Sequence, residues 1–204
     1  SVQVSGEGSA KVVDSNGNVR TTAKYGEKLF VNIKISDGYV DRVYLKTASN
    51  KKRSIESDNQ KYAFEMIDEN STIVVVVSKV NLSLFSIKYN KTDRTFEILS
   101  YRGNNEIVKI PQVITYSGIS YTLKTIHAFA FDGNKTIKEF EVISAGDSDV
   151  EVEIQMYAFD GCENLRKISV PNCAVVAKAA FSDCSSLEYF DFSNVKELGE
   201  RAFD

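Results

Sequence analysis

Apolar and polar positions recur with a fixed long-range period in the second half of the chain. The clearest marker is an Ala-Phe dipeptide, which occurs at residues 130–131, 158–159, 180–181 and 202–203. Successive Phe residues are 28, 22 and 22 positions apart, so one unit repeats, once with a six-residue insertion. Periods of about 20–50 residues are typical of solenoids, in which each coil packs only against its neighbours. The sequence therefore predicts a stack of similar coils.

The residues around each Ala-Phe pair form columns that are apolar in every unit. Apolar residues stand five positions before the Phe and six, nine and eleven positions after it, with polar residues between them. The spacing L-x-x-I-x-V at residues 165–170 is typical of a leucine-rich-repeat strand, whose alternate side chains point into the coil. We predict a repeat core that consists of Phe131, Phe159, Leu165, Ile168, Val170, Phe181, Leu187, Phe190 and Phe203.

Small residues stand beside the Phe column. An Ala precedes each Phe, which predicts a tight place between adjacent coils, so we expect Ala180→Leu to be more damaging than most substitutions. Gly133, Gly161 and Asp183 mark a turn two residues after the Phe.

These columns resemble a known repeat family. The segment IQMYAFDGCENLRKISVP at residues 154–171 is similar to the BspA-type leucine-rich repeat of bacterial surface proteins, with the pattern I-g-x-x-A-F-x-G-C-x-x-L-x-x-I-x-I-P. The resemblance covers roughly residues 105–204 and departs from the pattern at Asn134, at Asp183 and in the insertion at 141–153. It implies a mainly β fold with a leucine-rich-repeat solenoid, and a role in attachment or recognition through the concave face.

Residues 1–80 have a different pattern, in which short alternating apolar runs are separated by turn residues. Alternation is clear at 29–35, 43–45 and 73–77, and no segment has a sustained helical period. The pattern predicts a small all-β spacer domain, immunoglobulin-like or β-grasp-like, over residues 1–80. The segments 25–33 and 71–77 resemble the divergent internalin-B-type repeat, a β-rich module of surface proteins. Asn16-Gly17 is predicted to form a type I′ hairpin turn.

From residue 81 the pattern becomes that of the solenoid, so we place a domain boundary near Val80. Residues 86–89 and 95–99 predict a hairpin, and residues 107–126 an opening coil that covers the first end of the stack. The chain begins with Ser1 and ends at Asp204, halfway through a coil. We therefore expect a processed protein whose solenoid, truncated here at its C-terminal end, continues beyond this segment.

Composition narrows the possible functions. A hydrophobic content of 43% and an aromatic content of 11% are those of a folded protein. The net charge is -3 and the largest basic cluster is Lys51-Lys52-Arg53, which excludes a nucleic-acid-binding surface. No apolar stretch is long enough to span a membrane.

The candidate chemical groups favour structural roles. The chain has one histidine, which excludes metal sites that need two imidazoles. His127 stands four positions before the Phe, where the other units have Gln, Ala and Gly, so this position is predicted to lie at the coil surface. Cys162, Cys173 and Cys184 are expected to be buried small residues, although a Cys162–Cys184 disulfide is an alternative in an exported protein. Asp14–Asn18 is not a calcium loop, because Tyr25 stands where the bidentate Glu belongs. We expect no enzyme activity, metal or cofactor.

A recognition surface is the remaining interpretation. Residues that alternate with the buried ones should line the concave face as ligand-binding candidates, namely Glu139, Glu141, Lys167, Ser169, Tyr189 and Asp191. The resemblance implies an exported bacterial cell-surface protein whose solenoid binds an extracellular protein or glycan of a host or neighbouring cell. The alternatives are a structural stalk and an accessory module that binds polysaccharide, either of which would present another domain.

Overall fold

The computed structural model describes residues 1–5, 8–35, 39–47, 51–55, 57–58, 61–65, 71–146 and 148–204. These residues form two compact units, Ser1–Val80 and Asn81–Asp204. Both units are built of β-strands, which confirms the predicted mainly β fold class. Within the described ranges, no helix is long and apolar enough to cross a membrane.

The first unit consists of two small sheets. Its described strands are β1 (Val2–Ser5), β2 (Gly8–Val13), β3 (Lys28–Ile35), β4 (Tyr39–Lys46), β5 (Lys52–Ser54), β6 (Ser57–Asp58), β7 (Lys61–Glu65) and β8 (Thr72–Ser78). The strand orders are β1-β8-β4-β5 and β2-β3-β7-β6. Val31 of the second sheet packs in one core with Val43, Leu45 and Val75 of the first. Two sheets with a shared core are typical of a β-sandwich.

The turn after β2 differs from the prediction. A type I′ turn needs positive φ at both central residues, but in the Asn16-Gly17 pair only Gly17 has it, at 84°. The Gly17 N–H donates to the Asp14 carbonyl over 3.0 Å, and Asp14 Oδ1 accepts from the N–H groups of Asn16 and Asn18. The predicted type I′ turn is therefore wrong, because the Asp14 carboxylate organises the loop locally.

The second unit is a series of stacked coils. In residues 81–146 and 148–204 its strands are β9 (Phe85–Asn90), β10 (Thr95–Tyr101), β11 (Ile107–Pro111), β12 (Val113–Tyr116), β13 (Ile119–Ile126), β14 (Glu139–Ile143), β15 (Val152–Ile154), β16 (Lys167–Ser169), β17 (Cys173–Val176), β18 (Tyr189–Phe190) and β19 (Glu197–Leu198). One sheet has the order β19-β17-β15-β13-β10-β9, and β12 pairs with β13. The other has the order β11-β14-β16-β18. Each coil therefore adds one strand to each sheet, as in a solenoid.

The first coil starts earlier than the sequence pattern indicates. β10 pairs in parallel with β13, so it belongs to the stack of coils as well as to a hairpin with β9. β9 runs antiparallel to β10 and covers the outer edge of that strand. A covered edge removes the unpaired backbone groups that would otherwise pair with another chain.

An aromatic stack runs through the centre of the coils. The rings of Tyr101, Phe131, Phe159, Phe181 and Phe203 follow one another at centroid distances of 5.3, 4.6, 5.2 and 5.0 Å. Tyr101 thus occupies the Phe position of the first coil, although Ser100 precedes it in place of Ala. Stacked aromatic pairs are each worth about 0.5–1.5 kcal/mol beyond the area they bury.

The alanines beside this stack connect one coil to the next through the backbone. The N–H groups of Phe131, Phe159 and Phe181 donate to the carbonyls of Ala158, Ala180 and Ala202, at 2.8, 2.9 and 2.8 Å. The alanine side chains are buried. A larger side chain in this column would separate coils that hydrogen-bond directly.

The predicted repeat core is buried in the inner coils and partly exposed in the last one. Phe131, Phe159, Leu165, Ile168, Val170 and Phe181 are buried. Leu187 and Phe190 are half-buried, and Phe203 is 37% exposed. Phe203 stacks on Phe181 and also contacts the rings of Phe190 and Phe192, at centroid distances of 5.3 and 5.5 Å.

Candidate functional site

The outward residues of the four-stranded sheet form two columns. Parallel pairing aligns Ile107, Glu139, Lys167 and Tyr189 in one column, and Lys109, Glu141 and Ser169 in the other. The alternate residues of the same strands, such as Phe140 and Ile168, are buried. We call these seven outward residues the sheet face. The structure thus brings five of the six predicted candidates together, because side chains on paired strands alternate between faces.

Charges on the sheet face are balanced. Lys109 Nζ lies 3.3 Å from Glu141 Oε2, and Lys167 Nζ lies 5.9 Å from the centre of the Tyr189 ring. The Tyr189 side chain is 51% exposed. A lysine above a tyrosine ring is a cation–π contact, worth about 0.5–1 kcal/mol at an exposed site. The face therefore offers an exposed ring, an ammonium group, carboxylates and a hydroxyl on a fixed strand register.

Asp191, the sixth candidate, lies just beyond β18, and its carboxylate accepts hydrogen bonds from the loop that follows. Asp191 Oδ1 accepts from the Ser193 backbone N–H at 2.9 Å and from the Ser193 hydroxyl at 2.5 Å. These hydrogen bonds from Ser193, the hydroxyl first, lower the pKa of Asp191. A short polar side chain followed two residues later by serine commonly forms such a local turn. Asp191 is therefore not part of the sheet face.

His127 takes part in a structural network. Its Nε2 lies 2.7 Å from Glu97 Oε2, and Lys88 Nζ lies 3.1 Å from the same oxygen. The hydrogen bond from His127, then the one from Lys88, lowers the pKa of the Glu97 carboxyl. This network connects β9 and β10 to the turn that begins the next coil. The imidazole is thus engaged in holding two coils together.

The three cysteines are free, buried thiols. Cys162 Sγ donates to the Phe131 carbonyl at 3.1 Å, and Cys184 Sγ donates to the Phe159 carbonyl at 3.0 Å. The neighbouring Cys184 thiol and burial raise the pKa of Cys162, and burial raises the pKa of Cys173 to about 12. In the ranges that the structure describes, no group of three or more Cys, His, Asp or Glu side chains could hold a metal ion.

Sequence reasoning missed a second exposed surface. Phe129 and Tyr157 stand two positions before the Phe in adjacent coils, and their rings stack at 5.4 Å with an angle of 12°. Phe129 is 54% exposed, and Met156, beside Tyr157, is 46% exposed. We call Phe129, Met156 and Tyr157 the turn-edge patch. Two aromatic residues in one column of adjacent coils were the signal that could have revealed it.

The repeats match a defined family. Residues 109–204 match the family described as BspA type leucine rich repeat region, in six copies. That part of the chain is therefore a BspA-type leucine-rich-repeat region, as the Ala-Phe columns indicated. The family suggests a role in protein binding or as part of a surface protein. A comparison with curated proteins gave no match.

Three solved bacterial proteins are similar in structure. A leucine-rich repeat protein from Bacteroides ovatus is 28% identical, with 59% of this chain and 31% of that chain covered and a TM-score of 0.49. A T. pallidum leucine-rich repeat protein is 22% identical, with 62% and 66% covered and a TM-score of 0.50. A leucine-rich cell surface protein from Faecalibacterium prausnitzii is 22% identical, with 59% and 32% covered and a TM-score of 0.44. This chain spans less than two thirds of each, and the T. pallidum likeness shows the leucine-rich-repeat fold alone.

Proposed function

We propose that the sheet face recognises an extracellular protein or glycan of a host or neighbouring cell, and that the chain acts in adhesion at a bacterial surface. The observation that carries this proposal is the alignment of Glu139, Lys167 and Tyr189 in one outward column. Tyr189 is the exposed ring of this column and stands beside the Lys167 ammonium. Tyrosine is enriched among the residues that anchor binding surfaces.

The fold favours a binding function over a catalytic one. The short strands of the sheet face are held in register by parallel pairing with neighbouring strands, so their side chains are pre-organised for contact. Solenoids use such extended surfaces to bind partners. The balanced charges of the face and the net charge of -3 favour a protein or glycan ligand over nucleic acid.

The surface location rests on the repeat family and on its resemblance to bacterial surface proteins. In this proposal the chain is exported and works outside the cell, and residues 1–80 serve as a β-rich spacer like the internalin-B-type module. The solenoid then carries the recognition surface and the first unit extends it away from its attachment. The competing stalk function would need no ligand on the sheet face.

Adhesion of coated beads tests this proposal. Beads that carry the full chain would be washed over surfaces coated with extracellular-matrix proteins or epithelial glycans, and retained beads counted. We expect retention by the wild type and its loss in Lys167→Ala/Tyr189→Ala, because the variant removes the exposed ring and its cation. Tyr25→Ala is the matched control, since Tyr25 is an exposed tyrosine outside the solenoid. No retention of wild-type beads, or equal retention of the double variant, would favour the stalk.

A further inference from the structure

The turn-edge patch exposes large apolar side chains to solvent, although other residue types occupy the same repeat positions in the following coils. The residue two positions before each Phe has positive φ in all four repeats: Phe129 at 61°, Tyr157 at 56°, Ala179 at 52° and Arg201 at 57°. Bulky residues seldom adopt this left-handed conformation. Because Ala179 and Arg201 occupy the same turn, the turn itself does not explain the rings of Phe129 and Tyr157.

The patch has the composition of a protein-binding surface. Phe, Tyr and Met are enriched in the centres of protein–protein interfaces, which are surrounded by polar residues. Polar residues follow the patch along the stack: Lys178 and Glu200 hold the position of Met156 in the two following coils, and Lys178 Nζ pairs with Glu200 Oε2 at 3.0 Å. In the coil that carries Phe129, the Ala128 N–H donates to Gln155 Oε1 at 3.2 Å. These polar groups are paired with each other, so the apolar side chains provide the surface that is available to a ligand.

The size of the patch decides what can occupy it. A half-exposed aromatic side chain offers on the order of 100 Å² of surface. Phe129 and Met156 are about half exposed and Tyr157 is less exposed, so the three side chains together fall far below the roughly 800 Å² per partner that a stable dimer buries. The area fits one anchoring side chain from a short peptide segment, and a ring suits it best. A third ring can stack on or meet the edge of the Phe129–Tyr157 pair, and the Met156 sulfur makes a favourable contact with aromatic rings.

We propose that the turn-edge patch binds a short segment of a partner protein through one aromatic side chain. This surface is separate in sequence position and side-chain set from the sheet face, so the two can be occupied independently. Its ligand is peptide in nature because the patch offers apolar and aromatic surface, whereas its polar neighbours are already engaged with each other.

Methionine NMR tests this proposal at the patch itself. The chain has two methionines, Met66 and Met156, and no tryptophan, so labelled methionine methyl groups give two signals that a tryptophan probe can shift. The full chain would be titrated with N-acetyl-tryptophanamide, and Met156→Leu would assign the signals. We expect a saturable shift of the Met156 methyl signal with no change in that of Met66. Absence of a Met156 shift up to the solubility of the probe would overturn the proposal.

Matched variants make the test specific. Phe129→Asn removes the ring and keeps a residue that tolerates positive φ, so folding, checked by thermal melting, should be preserved. We expect it to weaken probe binding about tenfold, as loss of an anchor contact does. Tyr25→Ala and Tyr189→Ala should leave the titration unchanged. Equal binding by Phe129→Asn, or a Met156 shift caused by maltotriose in place of the aromatic probe, would contradict recognition of a peptide ring.

Discussion

Asp183 occupies a turn position that glycine holds in the two preceding coils. Its φ is 54°, close to the 65° of Gly133 and the 64° of Gly161. A side chain in this region is strained by about 1–2 kcal/mol, whereas glycine loses about 0.5–1 kcal/mol of chain entropy. We therefore expect Asp183→Gly to stabilise the solenoid by about 0.5–1 kcal/mol in urea unfolding. Asp183→Ala, which keeps the strain, should give no gain, and a destabilised glycine variant would contradict the turn geometry.

Gly199 is required for a close approach between coils. A Cβ added there would lie 2.3 Å from the Lys178 backbone nitrogen, and the Gly199 N–H donates to the Val176 carbonyl at 2.7 Å. We expect Gly199→Ala to destabilise the solenoid by about 1–3 kcal/mol, since the backbone of the last coil must move away. Gly133→Ala is the control, because no atom lies within 4 Å of its added Cβ and only its φ is strained. Denaturant unfolding that ranks Gly133→Ala as the more harmful change would refute this prediction.

Glu97 makes stability depend on pH. Its pKa is lowered in the folded state by the hydrogen bonds from His127 and Lys88, and its side chain is 16% exposed. A lowered carboxyl pKa stabilises the fold above the unfolded pKa of about 4.3, and the contribution is lost as pH falls through the folded value. We expect Glu97→Gln to lose about 1–2 kcal/mol at pH 7 and less than this at pH 3.

Unfolding by urea at the two pH values measures this difference. The same loss in Glu97→Gln at both pH values would show that its charge does not contribute.

At the scale of the structural elements, the alanines that precede the stacked Phe residues determine how closely the coils pack. Ala180 is fully buried and its carbonyl accepts from the Phe159 N–H at 2.9 Å. We expect Ala180→Leu to destabilise the solenoid by about 3 kcal/mol or more, because overpacking also stretches this hydrogen bond. The Phe159 amide should then exchange its hydrogen faster. Ala177→Gln is the control, since Gln155 already holds that column in the preceding coil.

The coils could be predicted from the sequence, but several of their contacts could not. The repeat period and the apolar columns predicted the stacking of Phe131, Phe159 and Phe181. Equivalent positions that are buried in every coil must be apolar in every coil, so the sequence shows them. Tyr101 was missed because Ser100 replaces the marker alanine and the first coil is longer. The left-handed conformation two positions before each Phe was missed because the residues there, Phe129, Tyr157, Ala179 and Arg201, include no glycine.

The candidate site shows the same limit at the level of single side chains. Strand alternation predicted which residues share the sheet face, so Glu139, Glu141, Lys167, Ser169 and Tyr189 lie together. Asp191 has the right spacing, yet Ser193 captures its carboxylate in a local turn. Residue spacing predicts which face of a strand a side chain occupies, whereas local hydrogen bonds determine where the strand ends.

Across the whole molecule, one aromatic-centred solenoid presents two distinct surfaces. The sheet face combines paired charges with the exposed Tyr189 ring, and the turn-edge patch is apolar and aromatic. Both lie on coils that stack through hydrogen bonds and parallel strands, so the scaffold holds each set of side chains without a ligand. Such pre-organisation reduces the entropy that binding must otherwise overcome.

Recognition by the sheet face is tested most directly by binding the full chain to an array of extracellular-matrix proteins and glycans. The wild type, Lys167→Ala/Tyr189→Ala and the Tyr25→Ala control would be compared on the same array. Our account predicts a ligand that the wild type and control bind equally and that the double variant binds about tenfold more weakly or not at all. Equal binding by the double variant, or no ligand for a folded wild-type chain, would contradict it.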